Sequence, residues 1–278
     1  MAAAAGGSHT ALDEVDAKGA FKRVDSAFRN SIGQGDFPAA AGRYHLYVSY
    51  ACPWAHRALM VRQLKGLNEV IGVSVVHPTW QRTKPEQEED SHCGWVFRSP
   101  DDEPVTQAAG HGSFPCADCV SDTVNGCATV RDLYELAADT LGKYSVPILW
   151  DKEKKTIVNN ESSEIIRMLN SGFNSLATNP DLDLYPEDTR ADIDAVNEWI
   201  YPNINNGVYR CGFAKSQEAY DVAVEGLYSS LQRVEEILST QRFIAGEYLT
   251  EADVRLFVTL VRFDEVYVVY FKVQYDSW

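Results

Sequence analysis

Arg43-Tyr44-His45-Leu46-Tyr47-Val48-Ser49-Tyr50-Ala51-Cys52-Pro53-Trp54-Ala55-His56-Arg57 reads as a strand, a turn with one cysteine, and a helix opening on proline. The helical pattern runs on through Ala58-Leu59-Met60-Val61-Arg62-Gln63-Leu64. Proline is tolerated at the first helical position because its missing N–H would be unpaired there anyway. Cys52 therefore falls at a helix N-terminus, where open N–H groups and the helix dipole favour a thiolate over a thiol. The thiolate is the reactive form, so this turn points to sulfur chemistry near neutral pH. Position 55 holds Ala, so there is no C-x-x-C dithiol here. A lone nucleophilic Cys needs an external thiol to resolve any disulfide it forms.

Working outward, residues 69–77 read as a second strand, making a β-α-β unit with parallel strands. Residues 78–129 are polar and rich in Pro, Gly and Asp, a loop long enough to be functional or disordered. Helical spacing returns at 131–138. Val146-Pro147-Ile148-Leu149-Trp150-Asp151 and Thr156-Ile157-Val158-Asn159 flank a charged turn and predict a hairpin. Pro147 at a strand start fits an edge strand or a cis turn. Ser162 or Ser163 is placed to cap a helix beginning near residue 162. From Glu187 onward no strand signal is convincing. Apolar residues three and four apart over 187–201, 216–240 and 250–263 predict a second, all-α domain. Thr250-Glu251-Ala252-Asp253 is a capping box at the start of its last helix.

The chain of 278 residues carries 40 acidic and 25 basic residues, a formal net charge of −15. Phosphate backbones are bound by clustered Lys and Arg, so nucleic acid is excluded as the expected partner. No run of 18 apolar residues predicts a membrane span. The start, Met1-Ala2-Ala3-Ala4-Ala5-Gly6-Gly7-Ser8, lacks a basic and apolar signal pattern, which predicts a cytoplasmic protein. Six cysteines stand at 52, 93, 116, 119, 127 and 211. Cys116-Ala117-Asp118-Cys119 is a C-x-x-C, but two clean ligand pairs are missing, so a solvated loop with no metal is expected.

A β-α-β unit with a helix-start Cys, a hairpin after Val-Pro, a helix opening on Glu-Ser and a helical second half resemble a glutathione transferase: a thioredoxin-like α/β domain plus an all-α domain. More specific words narrow the resemblance: Cys52-Pro53-Trp54-Ala55-His56-Arg57, Val146-Pro147-Ile148-Leu149-Trp150-Asp151, Asn159-Asn160-Glu161-Ser162-Ser163, Asn205-Asn206-Gly207-Val208-Tyr209 and Leu260-Val261-Arg262-Phe263-Asp264-Glu265-Val266-Tyr267. Together they look like the glutathionyl-hydroquinone reductases, the Xi class, over most of residues 20–272. The implied division is a tail and extension over 1–43, a thioredoxin-like glutathione-binding domain over 44–175 with the 78–129 loop inside it, and a helical domain over 185–278.

The resemblance implies reduction of S-glutathionyl-hydroquinones with glutathione as cosubstrate, with Cys52 as nucleophile and a Cys52–glutathione mixed disulfide as intermediate. It implies a cis bond at Pro147, with Val146 pairing to the cysteinyl part of glutathione. Glu161 and Ser162 would hold its γ-glutamyl end, and Trp95 and Arg98 would line its site. Tyr209 and Tyr267 would meet the quinol ring and assist proton transfer. A homodimer is also implied. Two departures stand out: 99–129 is longer than the family pattern, and after Phe271-Lys272-Val273-Gln274 the chain stops at Tyr275-Asp276-Ser277-Trp278 where the family continues, so a shortened helical domain is expected. The competing readings are an Omega-like thioltransferase or dehydroascorbate reductase using the same Cys52, and a non-catalytic ligand-binding or regulatory form.

Overall fold

The computed structural model describes residues 10, 13–107 and 110–274. It divides into two compact units, one built on Ser26–Leu182 and one on Asp183–Trp278 together with the segment ending at Asp25.

In the first unit, β1 (Tyr44–Val48) leads through the Cys52 turn into α1 (Pro53–Leu64) and back to β2 (Gly72–Val75). β1 and β2 pair in parallel, Leu46 opposite Val73. The second strand is shorter than the 69–77 expected, because α1 ends in a double turn. The N–H of Leu67 bonds Arg62 O at 2.9 Å and that of Gly66 bonds Gln63 O at 3.0 Å, the two bonds of a Schellman motif. Gly66 supplies its left-handed residue, φ +65°. After two short strands, β3 (Gln81–Arg82) and β4 (Cys93–Gly94), comes α2 (Val130–Leu136). The hairpin follows as β5 (Ile148–Asp151) and β6 (Thr156–Asn159), then α3 (Ser162–Arg167). The sheet order is β2-β1-β5-β6, with β5 antiparallel to both neighbours. All five residues of β1 are buried, as befits a central strand. Pro147 precedes a central strand, not an edge one, and its peptide bond is cis.

His45 on β1 is buried, its Nε2 3.0 Å from Ser74 Oγ. The missing side chain of Gly72 makes room for it: a Cβ there would lie 2.6 Å from the ring. Burial pushes the His45 pKa down to about 4. The unfolded chain takes up this proton near pH 6.5 and the folded one only near 4, so stability is full above 6.5 and falls as pH drops between those values. The loss approaches roughly 3 kcal/mol at the lower end. Urea melts at pH 7 and 4.5 should therefore differ far less in His45→Gln than in the parent chain; an equal pH sensitivity would contradict this assignment.

In the second unit, α4 (Arg190–Ile200), α5 (Gly207–Phe213), α6 (Gln217–Leu238) and α7 (Glu251–Leu260) enclose one core, with Ile193, Ile200, Ile204, Val208, Leu227 and Tyr267 almost fully buried. Three of these helices were legible as periodic patterns. α5 was not, because it opens on Gly207 and carries Gly212, and glycine is a poor helix former. Gly212 is nonetheless required: a Cβ there would lie 2.4 Å from the Phe271 ring. The capping box at the start of α7 forms in full, Asp253 Oδ2 accepting from the Thr250 N–H at 2.9 Å while Oδ1 accepts from Ile244 N–H at 2.8 Å. The preceding extension joins this core: Phe21 meets Phe213 edge-on, centroids 5.2 Å apart. Beyond α7 the chain turns back, Val273 is fully buried, and the Tyr220 hydroxyl donates to Lys272 O at 2.6 Å. Val261, Val269 and Tyr270 remain exposed.

Candidate active site around Cys52

Cys52 is the N-cap residue of α1 and has extended backbone angles, with Pro53 at the first helical position. The residue is 9% exposed, and its thiol donates to the carbonyl of Val146 at 3.5 Å. The cis bond to Pro147 immediately follows that carbonyl. The strand–turn–helix corner and the start of the hairpin thus converge on one sulfur, although 94 residues separate them in sequence.

α1 carries a second polar group to the neighbouring turn. Arg57 is 1% exposed, its guanidinium 4.5 Å from the Trp54 ring and its Nη1 donating to Ser162 Oγ at 3.3 Å. Ser162 does not cap α3, contrary to the sequence reading. The N-cap is Glu161, whose Oε1 accepts from Ser163 N–H at 3.0 Å and from Ser163 Oγ at 2.9 Å. A carboxylate can accept several donors and suits a helix N-terminus electrostatically, so it displaces the hydroxyl from that role. Ser162, freed from capping, meets Arg57.

Sequence reasoning missed the strap formed by residues 26–30. Ser26 Oγ donates to Glu161 Oε2 and to Asn160 O, each at 3.3 Å. Asn30 N–H bonds Val158 O at 3.0 Å, and Arg29 pairs with Glu164. Nothing in the strap is periodic or apolar enough to mark it, and its role becomes visible only from its partners.

The other residues expected at the site have these neighbours, each within its own unit. Trp95 packs edge-on against Trp80, centroids 5.4 Å apart. Arg98 lines a groove of about 830 Å³ with Gln81, Arg82, Lys84, Thr106 and Asp132, and none of Cys52, Val146, Glu161 or Ser162 lines it. In the second unit, Tyr209 and Tyr267 touch each other edge-on, centroids 5.9 Å apart, and both meet Phe271. Tyr267 is 1% exposed, while Tyr209 is partly buried under the Arg23 guanidinium at 5.1 Å.

The description "Glutathione S-transferase, N-terminal domain" matches residues 51–171, and the corresponding C-terminal domain matches 217–278. Glutathionyl-hydroquinone reductase YqjG of Escherichia coli K12 is 47% identical over 274 residues, covering 95% of this chain and 75% of that protein. The chain belongs to the glutathionyl-hydroquinone reductases, the Xi class of glutathione transferases. As such it is an enzyme of the transferase fold, a mixed sheet followed by a helical region. The Xi transferase of Phanerochaete chrysosporium superposes with a TM-score of 0.81 at 50% identity, over 94% of this chain and 77% of that one. The glutathione-bound structure of the Escherichia coli YqjG protein gives a TM-score of 0.76 at 44% identity, over 91% of this chain and 76% of that one. Among the described residues of this reductase, no helix is long and apolar enough to cross a membrane.

Proposed function

We propose that the chain reduces S-glutathionyl-hydroquinones to hydroquinones through a Cys52–glutathione mixed disulfide, in the cytoplasm. The observation that carries the reading is the single thiol on the α1 N-cap, within 3.5 Å of the carbonyl that precedes a cis-proline.

Before glutathione arrives, the Cys52 S–H is spent on the Val146 carbonyl. An incoming cysteinyl backbone paired to Val146 donates its own N–H to that carbonyl. The same pairing brings the substrate sulfur up to the Cys52 thiol, since the carbonyl oxygen has two lone pairs and can serve both donors. Glu161 and Ser162 hold the γ-glutamyl end, the carboxylate facing its ammonium and the hydroxyl, backed by Arg57, facing its α-carboxylate. Trp95 and Arg98 belong to the same reading as glutathione contacts, and a homodimer remains part of it.

In the first half-reaction the Cys52 thiolate attacks the glutathionyl sulfur. The aromatic carbon–sulfur bond breaks, the ring carbon takes a proton, and hydroquinone leaves while the mixed disulfide remains. In the second, a glutathione thiolate attacks that disulfide, releasing oxidised glutathione and restoring Cys52. Two glutathionyl groups are oxidised to one disulfide as the aryl thioether is reduced. Tyr209 and Tyr267 are proposed as the phenols that serve the quinol oxygens and the proton transfer.

A thioltransferase would use the same thiol on small disulfides. Competition between a glutathionyl-hydroquinone and a mixed alkyl–glutathione disulfide separates the two. The reductase reading predicts that kcat/KM favours the aryl thioether, and preference for the disulfide would replace it with the Omega-like reading.

A further inference from the structure

Cys116 and Cys119, expected in a solvated loop, are instead 2% and 3% exposed. The turn between them closes with the Cys119 N–H on Cys116 O at 2.8 Å. Beside them lies His77, fully buried, and one ligand atom from each of the three residues falls within 4.8 Å of the others. His77 follows β2, the edge strand of the sheet, and its N–H is anchored on Val96 O at 2.9 Å. The cysteines come from the insert, which runs along that same edge through a Val75–Val120 bridge. Among the described residues, Val105, Cys116 and Cys119 form a buried apolar cluster within the insert. Two of the three members of this small cluster are thiols, so its centre carries ligand chemistry as well as apolar surface.

We propose that His77, Cys116 and Cys119 form a zinc site that fastens the 99–129 insert to the edge of the sheet. Zn²⁺ takes two thiolates and one imidazole nitrogen readily, at about 2.3 and 2.1 Å, in tetrahedral geometry. Those bond lengths bring the ligand atoms to roughly 3.5–3.8 Å from one another, a contraction of about an ångström at most from the present limit. As the metal binds, each thiol releases its proton to solvent. Two thiolates and one divalent cation sum to zero, so the complex can be buried without leaving a net charge in an apolar setting. The imidazole decides for a metal over a simple C-x-x-C disulfide, which needs no third partner.

Coordination has one local cost. His77 Nδ1 accepts the Thr79 N–H at 3.0 Å, and Nε2 lies 3.3 Å from Phe114 O. Binding through Nδ1 displaces the Thr79 N–H, and binding through Nε2 moves the ring proton to Nδ1 with the same result. The former keeps Nε2–H on the Phe114 carbonyl, an arrangement common behind metal-bound histidines. Three protein ligands leave a fourth position for water. Charges near Cys119 are mixed, Asp118 favouring a cation and Arg98 opposing it.

The test uses the full chain in a Cys52→Ser background, so that the nucleophilic thiol is not counted. Reduced, metal-free protein titrated with Co²⁺ should take one equivalent, with thiolate charge-transfer absorption and tetrahedral d–d bands that Zn²⁺ abolishes. His77→Ala, Cys116→Ser and Cys119→Ser should each lose that spectrum, while Cys93→Ser and Cys127→Ser keep it. No cobalt spectrum, or one that survives Cys116→Ser and Cys119→Ser, overturns the proposal. So does a Cys116–Cys119 disulfide in the isolated chain that binds no Zn²⁺ after reduction. Should the ligand variants fail to fold, thiol alkylation of the parent chain decides. Zn²⁺ should shield the peptide bearing Cys116 and Cys119, and equal labelling with and without Zn²⁺ overturns the proposal.

Discussion

Cys52→Ser is expected to abolish glutathione-dependent hydroquinone release, a fall of about three orders of magnitude or more in kcat. The loss is this large because the thiol is the bond-forming atom and the hydroxyl cannot replace it. A serine hydroxyl is hardly ionised near neutral pH, and an oxygen–sulfur bond would not be resolved by a second glutathione as a disulfide is. Glutathione binding should change little, since the proposed contacts at Val146, Glu161 and Ser162 are untouched. Turnover by equilibrium-folded Cys52→Ser at the parent rate would remove Cys52 from the chemistry. Loss of glutathione binding together with turnover would instead indicate a damaged site.

Arg43→Leu is expected to destabilise the first unit by about 3 kcal/mol, read as a lower midpoint in urea with the slope unchanged. Asp151, at the end of β5, is fully buried, and Arg43 meets it through Nε at 3.0 Å and Nη2 at 2.5 Å. The Arg43 hydrogen bonds and charge oppose the effect of burial and leave the Asp151 carboxyl below its usual range. Removing one partner leaves an uncompensated buried charge, commonly a cost of 3–5 kcal/mol. The low end applies because Oδ1 keeps the N–H groups of Glu153 at 2.9 Å and Lys154 at 3.2 Å. The double variant Arg43→Leu with Asp151→Asn should recover part of the loss, because no buried charge remains. A single variant as stable as the parent would show that the pair contributes nothing.

Much of this architecture could be read from residues near one another in sequence. The βαβ corner at Cys52, the hairpin around Lys152–Lys155 and the capping box at Thr250–Asp253 all depend on local signals: a proline at a helix start, alternating apolar runs, a Thr-x-x-Asp word. What stayed hidden depended on partners far away. Ser26 serves Glu161 across 135 residues, and Arg57 serves Ser162 across 105. Neither spacing has a period to detect. The Ser162 capping role failed for a related reason: sequence offers three adjacent polar residues, and only the turn geometry selects Glu161. The burial of Cys116 and Cys119 was likewise invisible, because a polar loop gives no hint that it folds back onto a sheet edge.

The most direct test of the central claim is a single turnover without free glutathione. One equivalent of a glutathionyl-hydroquinone is mixed with reduced enzyme, the mixture is acid-quenched, and both protein and small molecules are weighed by mass spectrometry. The account predicts one equivalent of free hydroquinone and one glutathionyl group on the peptide containing Cys52, removed by later addition of glutathione with release of oxidised glutathione. Hydroquinone formed with no modification at Cys52, or a glutathionyl group found only on another cysteine, would contradict it.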